Sequence, residues 1–389
     1  MQVKATAMLP DGVREMGPRD ARLLAGLRTA FLREFALWGY EEVVAPTFEL
    51  SERLPNRASS GPISSRTATY SSEILYRLFD RKGRVLVLRP DITEPVARMA
   101  SAQTHPVFPL RFSYFGNAFR QRPEGSGQAH EIWQAGLELI GVQGPSADAE
   151  ALAAGLAAVR RAGINDVKAC IGYPAIAGSL TAADGRLPPV SIPDLLAGMD
   201  GWFGPAGSNH TAHLKALASL LIEQGDADSF VFDISLAREM TYYSGPVFEF
   251  YSARAASPVA GGGRYDGLCS NFGRDLPATG LAIDVLQVMA VLRKENEGVC
   301  ERLEGTLIGY EEGAAEIAGR LAASLRKAGR IAEVDALACD PAGLLKSAQA
   351  KRRETALFVT RQGYQEFAVA GAPDESGRRS TVPTVAGVH

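Results

Sequence analysis

Apolar residues recur at helical spacing between Pro18 and Tyr40, where Leu24, Leu27, Phe31, Phe35 and Trp38 share one face and Gly39 follows the last turn. Steps of three and four residues predict one long amphipathic helix closed by a C-terminal glycine. The period then shortens to two. "YEEVVAPTFEL" reads as a strand whose Pro46, lacking an N–H, belongs at an edge or an interface. "ILYRLFD", "RKGR" and "VLVLRPDIT" read as a hairpin turning at Gly83, and residues 107–117 and 131–141 as two further strands joined by the Gly-rich "RPEGSGQAH". Residues 56–72, "NRASSGPISSRTATYSS", follow neither period and predict a polar loop or lid.

An Ala/Leu-rich helix is expected over 146–163, with Ser146 or Asp148 available as its cap. Residues 164–228 are broken by Pro and Gly around one clear helix at "HLKALASLLIEQG", and read as an insertion. "SFVFDIS" and "GPVFEFYSA" predict strands leading to a turn at "GGGRYDG", and "LPATGLAIDVLQVMAVLRKE" a short strand running into a helix. After Arg302 strands alternate with helices, the first helix carrying Ile317, Leu321 and Leu325 on one face, which predicts a βαβαβ unit with a largely parallel sheet. The expected organisation is α+β: residues 1–302 as an antiparallel sheet with flanking helices, and residues 303–389 as a small α/β domain.

Composition narrows the function classes. Lys plus Arg total 41 against 44 Asp plus Glu, so a net charge of −3 provides no long-range field for a polyanion. Cys170, Cys269, Cys300 and Cys339 stand apart with no CxxC, which predicts reduced thiols and a cytoplasmic protein. The first residues, "MQVKATAMLPDGVREMG", hold no apolar signal core, and no apolar run reaches membrane-spanning length. His210 and His213 in "HTAH" have no third ligand near in sequence, so no metal is expected, and "GGGRYDG" does not open a helix after a strand as a dinucleotide fingerprint would.

Candidate chemistry gathers at two places. "LRPDITEPVARMA" ends a strand with Arg89, Asp91 and Thr93 and enters a helix that Asp91 or Thr93 could cap. Gln134 and Glu138 lie four apart in "EIWQAGLELIG", and an even separation on a strand puts both on one face of an otherwise apolar element. Together with "PDGVREMGPRD", "GYEEVVAPTFE", "RFSYFGNAFR", "REMTYYSGPVFEFY", "GGGRYDGL" and "PATGLAIDVLQV", these segments occur in the order found in histidyl-tRNA synthetases, which the chain resembles over residues 8–290. The resemblance implies a class II aminoacyl-tRNA synthetase-like sheet, and a closing domain similar to a reduced anticodon-binding domain.

Carried onto this sequence, the resemblance implies a histidine pocket at Asp91 (where the family has Glu), Thr93, Gln134, Glu138, Arg238, Tyr243 and Tyr265. Carboxylates suit a ligand ammonium and Arg238 a ligand carboxylate, although such a polar set can also satisfy itself. The nucleotide end departs from the family. Arg120 stands where a guanidinium meets the α-phosphate, but the arginine of the last motif is replaced by Gln287. "FRQRPEGSGQAHE" is also one residue short and lacks the Glu between its arginines. Losing one charge-assisted contact costs about 1.5–3 kcal/mol, so ATP activation is not expected.

That asymmetry resembles a synthetase-like family without catalysis of its own, the regulatory subunits of short-form ATP phosphoribosyltransferase. The likeness implies no cofactor, a homodimeric core within a hetero-oligomer, and a partner in the separate catalytic subunit of the transferase. It also implies L-histidine as ligand and feedback effector, and no tRNA. An active histidyl-tRNA synthetase and a free-standing histidine-binding paralogue remain the alternatives at this point.

Overall fold

A computed structural model describes residues 9–53, 74–123, 125–179, 188–203, 209–236, 242–295, 303–335, 340–369 and 384–386. The loop expected over 56–72 and the pocket candidate Arg238 lie outside the described residues. The chain forms two compact units, Met1–Glu295 and Asn296–His389. No helix among the described residues is long and apolar enough to cross a membrane.

Helix α1 (Pro18–Leu37) buries Leu27, Phe31 and Phe35 on one stripe. It ends as its spacing predicts: Gly39 has φ +81°, and the N–H of Tyr40 reaches back to the carbonyl of Phe35 at 3.0 Å. The strand expected next is interrupted around Pro46 into β1 (Glu41–Glu42) and β2 (Phe48–Leu50). Strands β3 (Arg77–Phe79) and β4 (Val85–Leu88) form the expected hairpin and pair with β2 in a small sheet. Then follow α2 (Thr93–Ala102), β5 (Leu110–Phe119), β6 (Glu131–Ile140) and α3 (Pro145–Arg161).

Within residues 164–228, expected as an insertion, two strands join the main sheet. β7 (Lys168–Gly172) pairs with later strands on both sides, and β8 (Val190–Ser191), α4 (Ile192–Phe203) and α5 (Asn209–Glu223) complete that flank. Strands β9 (Phe230–Phe232), β10 (Val247–Tyr251), β11 (Ala260–Arg264) and β12 (Ala278–Asp284), with helix α6 (Val285–Glu295), finish the unit. The sheet order among the described residues is β1-β5-β6-β12-β11-β10-β7-β9-β8. Neighbours are antiparallel except β1 with β5 and β7 with β9.

The glycine run read as a turn is strand β11, and close packing explains it. A Cβ on Gly262 would lie 2.1 Å from the carbonyl oxygen of Gly280, and Gly263 holds φ +151° with the carbonyl oxygen of Pro246 2.6 Å from the Cβ position. Asp148, expected as a cap, is buried within α3 and pairs instead with Arg264 at 3.1 Å and His213 at 2.7 Å. Those partners come from distant segments, so neighbouring sequence could not reveal them.

Alternation along the strands gives the sheet two different faces. On one, Leu137, Leu139, Phe248, Phe250 and Leu281 pack against Phe31 and Phe35 of α1 and Leu152, Leu156 and Val159 of α3. The other carries Phe112, Tyr114 and Ile140 beneath Val96, Ala97 and Ala100 of α2, leaving an open stretch over β6, β10, β11 and β12.

In the second unit β13 (Leu303–Tyr310) lies parallel between β14 (Ala332–Val334) and β15 (Arg353–Thr360). Helix α7 (Ala315–Lys327) packs Ala318 and Ala322 on Ile308 and Val359, while α8 (Pro341–Ala350) packs Leu344 and Ala348 on Leu307 and Phe358. The parallel βαβαβ core matches the pattern. β16 (Gly363–Ala368) and β17 (Thr384–Ala386) extend the sheet antiparallel, so among the described residues three of its five strands are parallel.

Candidate functional site

A cavity of about 250 Å³ occupies the open stretch of the main sheet. Its floor is small-residue backbone at Ala260, Gly262, Gly280 and Ala282, and its walls carry Asp91, Thr93, Gln134, Glu138, Tyr243 and Tyr265. Six of the seven expected pocket residues therefore converge from α2, β6 and the segments flanking β11. Gln134 and Glu138 do share a face, because Leu137 between them points into the opposite core.

Glu138 is the centre of the cluster. Tyr265 donates its phenol to Oε2 at 2.5 Å and Tyr114 donates to Oε1 at 3.3 Å. Burial pushes the Glu138 carboxyl up to about 8, against the lowering pull of Tyr265, Thr93 and Tyr114; the charge of Asp91 adds to the rise. Burial also drives the phenols of Tyr114 and Tyr265 well above their ordinary range, with Glu138 reinforcing the shift. Two glycines make room for this cluster. A Cβ on Gly136 would lie 2.3 Å from the Tyr114 hydroxyl, and one on Gly280 would lie 1.8 Å from Glu138 Oε2.

Asp91 both lines the cavity and caps α2, its Oδ1 accepting the N–H of Glu94 at 3.2 Å. Arg89 does not reach the cavity lining. Buried, it donates to the carbonyls of Asn117 at 2.7 Å and Ala45 at 2.6 Å, tying β5 to the β1–β2 connection. The two tyrosine rings of Tyr242 and Tyr265 meet edge to face at 5.8 Å, walling the end of the cavity beside Glu138.

At the other end Arg120 lines the cavity and donates from Nε to the carbonyl of Pro90 at 2.7 Å. Gln287, expected as the remnant of the nucleotide site, is not among the lining residues; it sits in the first turn of α6, its N–H bonded to Asp284 Oδ1 at 3.1 Å. Arg122, Tyr242, Glu249 and Asp284 also line the cavity and were missed. Glu249 is a lone acid between phenylalanines in "VFEFY" and Asp284 an acid at a strand-to-helix junction, neither of which has a period that marks it as part of a site. The lining thus holds acidic side chains at Asp91, Glu138, Glu249 and Asp284, of which Glu138 is raised to about 8, beside guanidiniums at Arg120 and Arg122. That set fits a small zwitterion better than a triphosphate. Among the described residues no group of three metal-ligating side chains occurs; His213 is held by Asp148, and His210 lies 3.1 Å from the Tyr173 hydroxyl.

The sheet order, the α2 cap over it and the cavity between them define a class II synthetase-like module of the histidyl type. The histidyl-tRNA synthetase family model matches residues 12–189 and 204–288. An apo histidyl-tRNA synthetase from S. aureus superposes with a TM-score of 0.71 at 20% identity, covering 98% of this chain and 97% of that one, a likeness of fold. Within that class, an ATP phosphoribosyltransferase regulatory subunit from Symbiobacterium thermophilum is 34% identical, covering 90% of this chain and 95% of that protein. A crystal structure from Bacillus halodurans, described as an ATP phosphoribosyltransferase regulatory subunit/histidyl-tRNA synthetase, superposes with a TM-score of 0.75 at 25% identity over 91% of this chain and 98% of that chain. The chain belongs to the ATP phosphoribosyltransferase regulatory subunit family.

Proposed function

We propose that this chain is the non-catalytic regulatory subunit of a short-form ATP phosphoribosyltransferase, acting in the cytoplasm at the first step of histidine biosynthesis. Its partner is the separate catalytic subunit, docked on a homodimeric core of this chain, and L-histidine is the ligand through which feedback passes. Asp91, Thr93, Gln134, Glu138, Tyr243 and Tyr265 receive the amino acid, with Arg238 as the partner for its carboxylate. Arg120 and Gln287 are remnants of a nucleotide site.

One observation carries the reading: Glu138 is buried at the centre of a polar set with Asp91, Thr93, Gln134 and Tyr265, while the same cavity lining sets the acids Glu249 and Asp284 beside the guanidiniums of Arg120 and Arg122. Binding at such a site regulates an assembly only if histidine favours one state of the complex over another.

The test is transferase activity of the catalytic subunit with and without this chain, titrated with L-histidine. Activation on mixing, reversed by histidine, supports the reading. Histidine-dependent pyrophosphate exchange by the purified chain alone would instead establish an active synthetase.

A further inference from the structure

Where β12 passes into α6, Asp284 faces the cavity and its Oδ1 accepts the N–H of Leu286 at 3.0 Å and of Gln287 at 3.1 Å. The start of a helix presents unpaired N–H groups and a positive dipole end, a natural seat for an external anion. In this protein the seat at α6 is taken by the chain's own carboxylate. Arg120 and Arg122 line the same cavity, and the guanidiniums of Arg120 and Arg14 both act on Asp284, opposing the rise that burial imposes on its carboxyl. Across the ladder Asp284 pairs with Gln134, which is 8% exposed and whose Oε1 is buried without a hydrogen-bond partner. This end of the cavity therefore offers acceptors, Gln134 Oε1 and the Asp284 carboxylate, to a ligand N–H, and its position for an anion is already filled.

We propose that Asp284 sets the ligand class of the cavity: it is a tethered anion that keeps phosphate-bearing ligands away from Arg120 and reserves the site for zwitterionic amino acids. The proposal rests on the amino-acid reading given above and deepens it. A phosphate approaching Arg120 meets a like charge that cannot withdraw without uncapping α6. Replacing that carboxylate with a neutral acceptor removes the negative charge at the helix start that faces Arg120. The prediction is a gain of binding, which a residue with a merely structural role would not give.

Pyrophosphate is titrated calorimetrically into the full chain, the Asp284→Asn, Asp284→Ser and Arg120→Gln variants, and the double variant Asp284→Asn/Arg120→Gln. Asn and Ser are both favoured at helix starts, so α6 keeps a cap. Each single variant is expected to bind pyrophosphate about tenfold or more tightly than the unmodified chain, the worth of one charge-assisted contact, and the double variant to lose that gain. Affinities within about twofold of the unmodified chain in single variants with an unchanged melting transition would overturn the proposal. So would a gain that survives Arg120→Gln. Tight pyrophosphate binding by the unmodified chain, abolished by Arg120→Gln alone, overturns it without touching Asp284. L-histidine titrated into the unmodified chain reports separately on the amino-acid reading: silence there, beside a pyrophosphate gain in Asp284→Asn, rejects that reading and leaves the role of Asp284 standing.

Discussion

Gly280 stands directly opposite Glu138 across the β6–β12 ladder, and any side chain on it would drive into the carboxylate, since a Cβ would lie 1.8 Å from Oε2. The same Cβ would lie 2.4 Å from the carbonyl oxygen of Leu137, so rotating Glu138 aside does not relieve the clash. Gly280→Ala is expected to destabilise the chain by ~1–3 kcal/mol, the usual cost of overpacking, and to weaken L-histidine binding in the same protein. Thermal unfolding and calorimetric titration check both.

Tyr265 holds Glu138 with a buried phenol hydrogen bond at 2.5 Å. Tyr265→Phe leaves the ring and removes the donor that Glu138 Oε2 accepts from. A loss of about 1.5–3 kcal/mol, or roughly ten- to a hundredfold, in L-histidine affinity is expected. Isothermal titration against the unmodified chain measures it.

Glu94 gives a pH signature away from the cavity. Burial raises its carboxyl from 4.5 to about 9, with Asp91 and Glu49 adding to the rise and Arg98 opposing it, and its Oε2 is buried without a hydrogen-bond partner. Between these two values the folded chain keeps a proton that the unfolded chain gives up. Stability from this group is therefore full below pH ~4.5 and lost as pH rises towards about 9, by up to about 1.4 kcal/mol per unit for one proton. Glu94→Gln should flatten that fall in a series of urea titrations at increasing pH. An unchanged slope would show that Glu94 is not the group responsible.

Asp148 is fully buried between Arg264, 5% exposed at its side chain, and His213. Asp148→Ala leaves the arginine without its main counter-charge, a situation that costs about 3–5 kcal/mol. All three tryptophans, Trp38, Trp133 and Trp202, lie within Met1–Glu295, so their fluorescence follows this unit in urea. Asp148→Asn, which keeps an acceptor, should lose less than Asp148→Ala.

Much of the site was legible because its chemistry follows local rules. Period two along "EIWQAGLELIG" was enough to place Gln134 and Glu138 on one face, and "LRPDITEP" to place Asp91 at a helix start. Glu249 and Asp284 were not legible, since a single acid on a strand has no period and becomes part of a site only when strands from distant segments are laid side by side. Asp148 was misread for the same reason: its charge partners lie 65 and 116 residues away, at His213 and Arg264.

The sequence by itself determined where the helices and most strands fall, which faces are apolar, and which polar side chains share a face, because these depend on neighbours a few positions apart. Tertiary structure alone decided that residues 168–172 join the main sheet, that the glycine run is a strand, and that Asp284, at the start of α6, lines one cavity with Arg120. Close approach between backbones and the pairing of buried charges are properties of chains folded against one another, and linear order does not encode their distances.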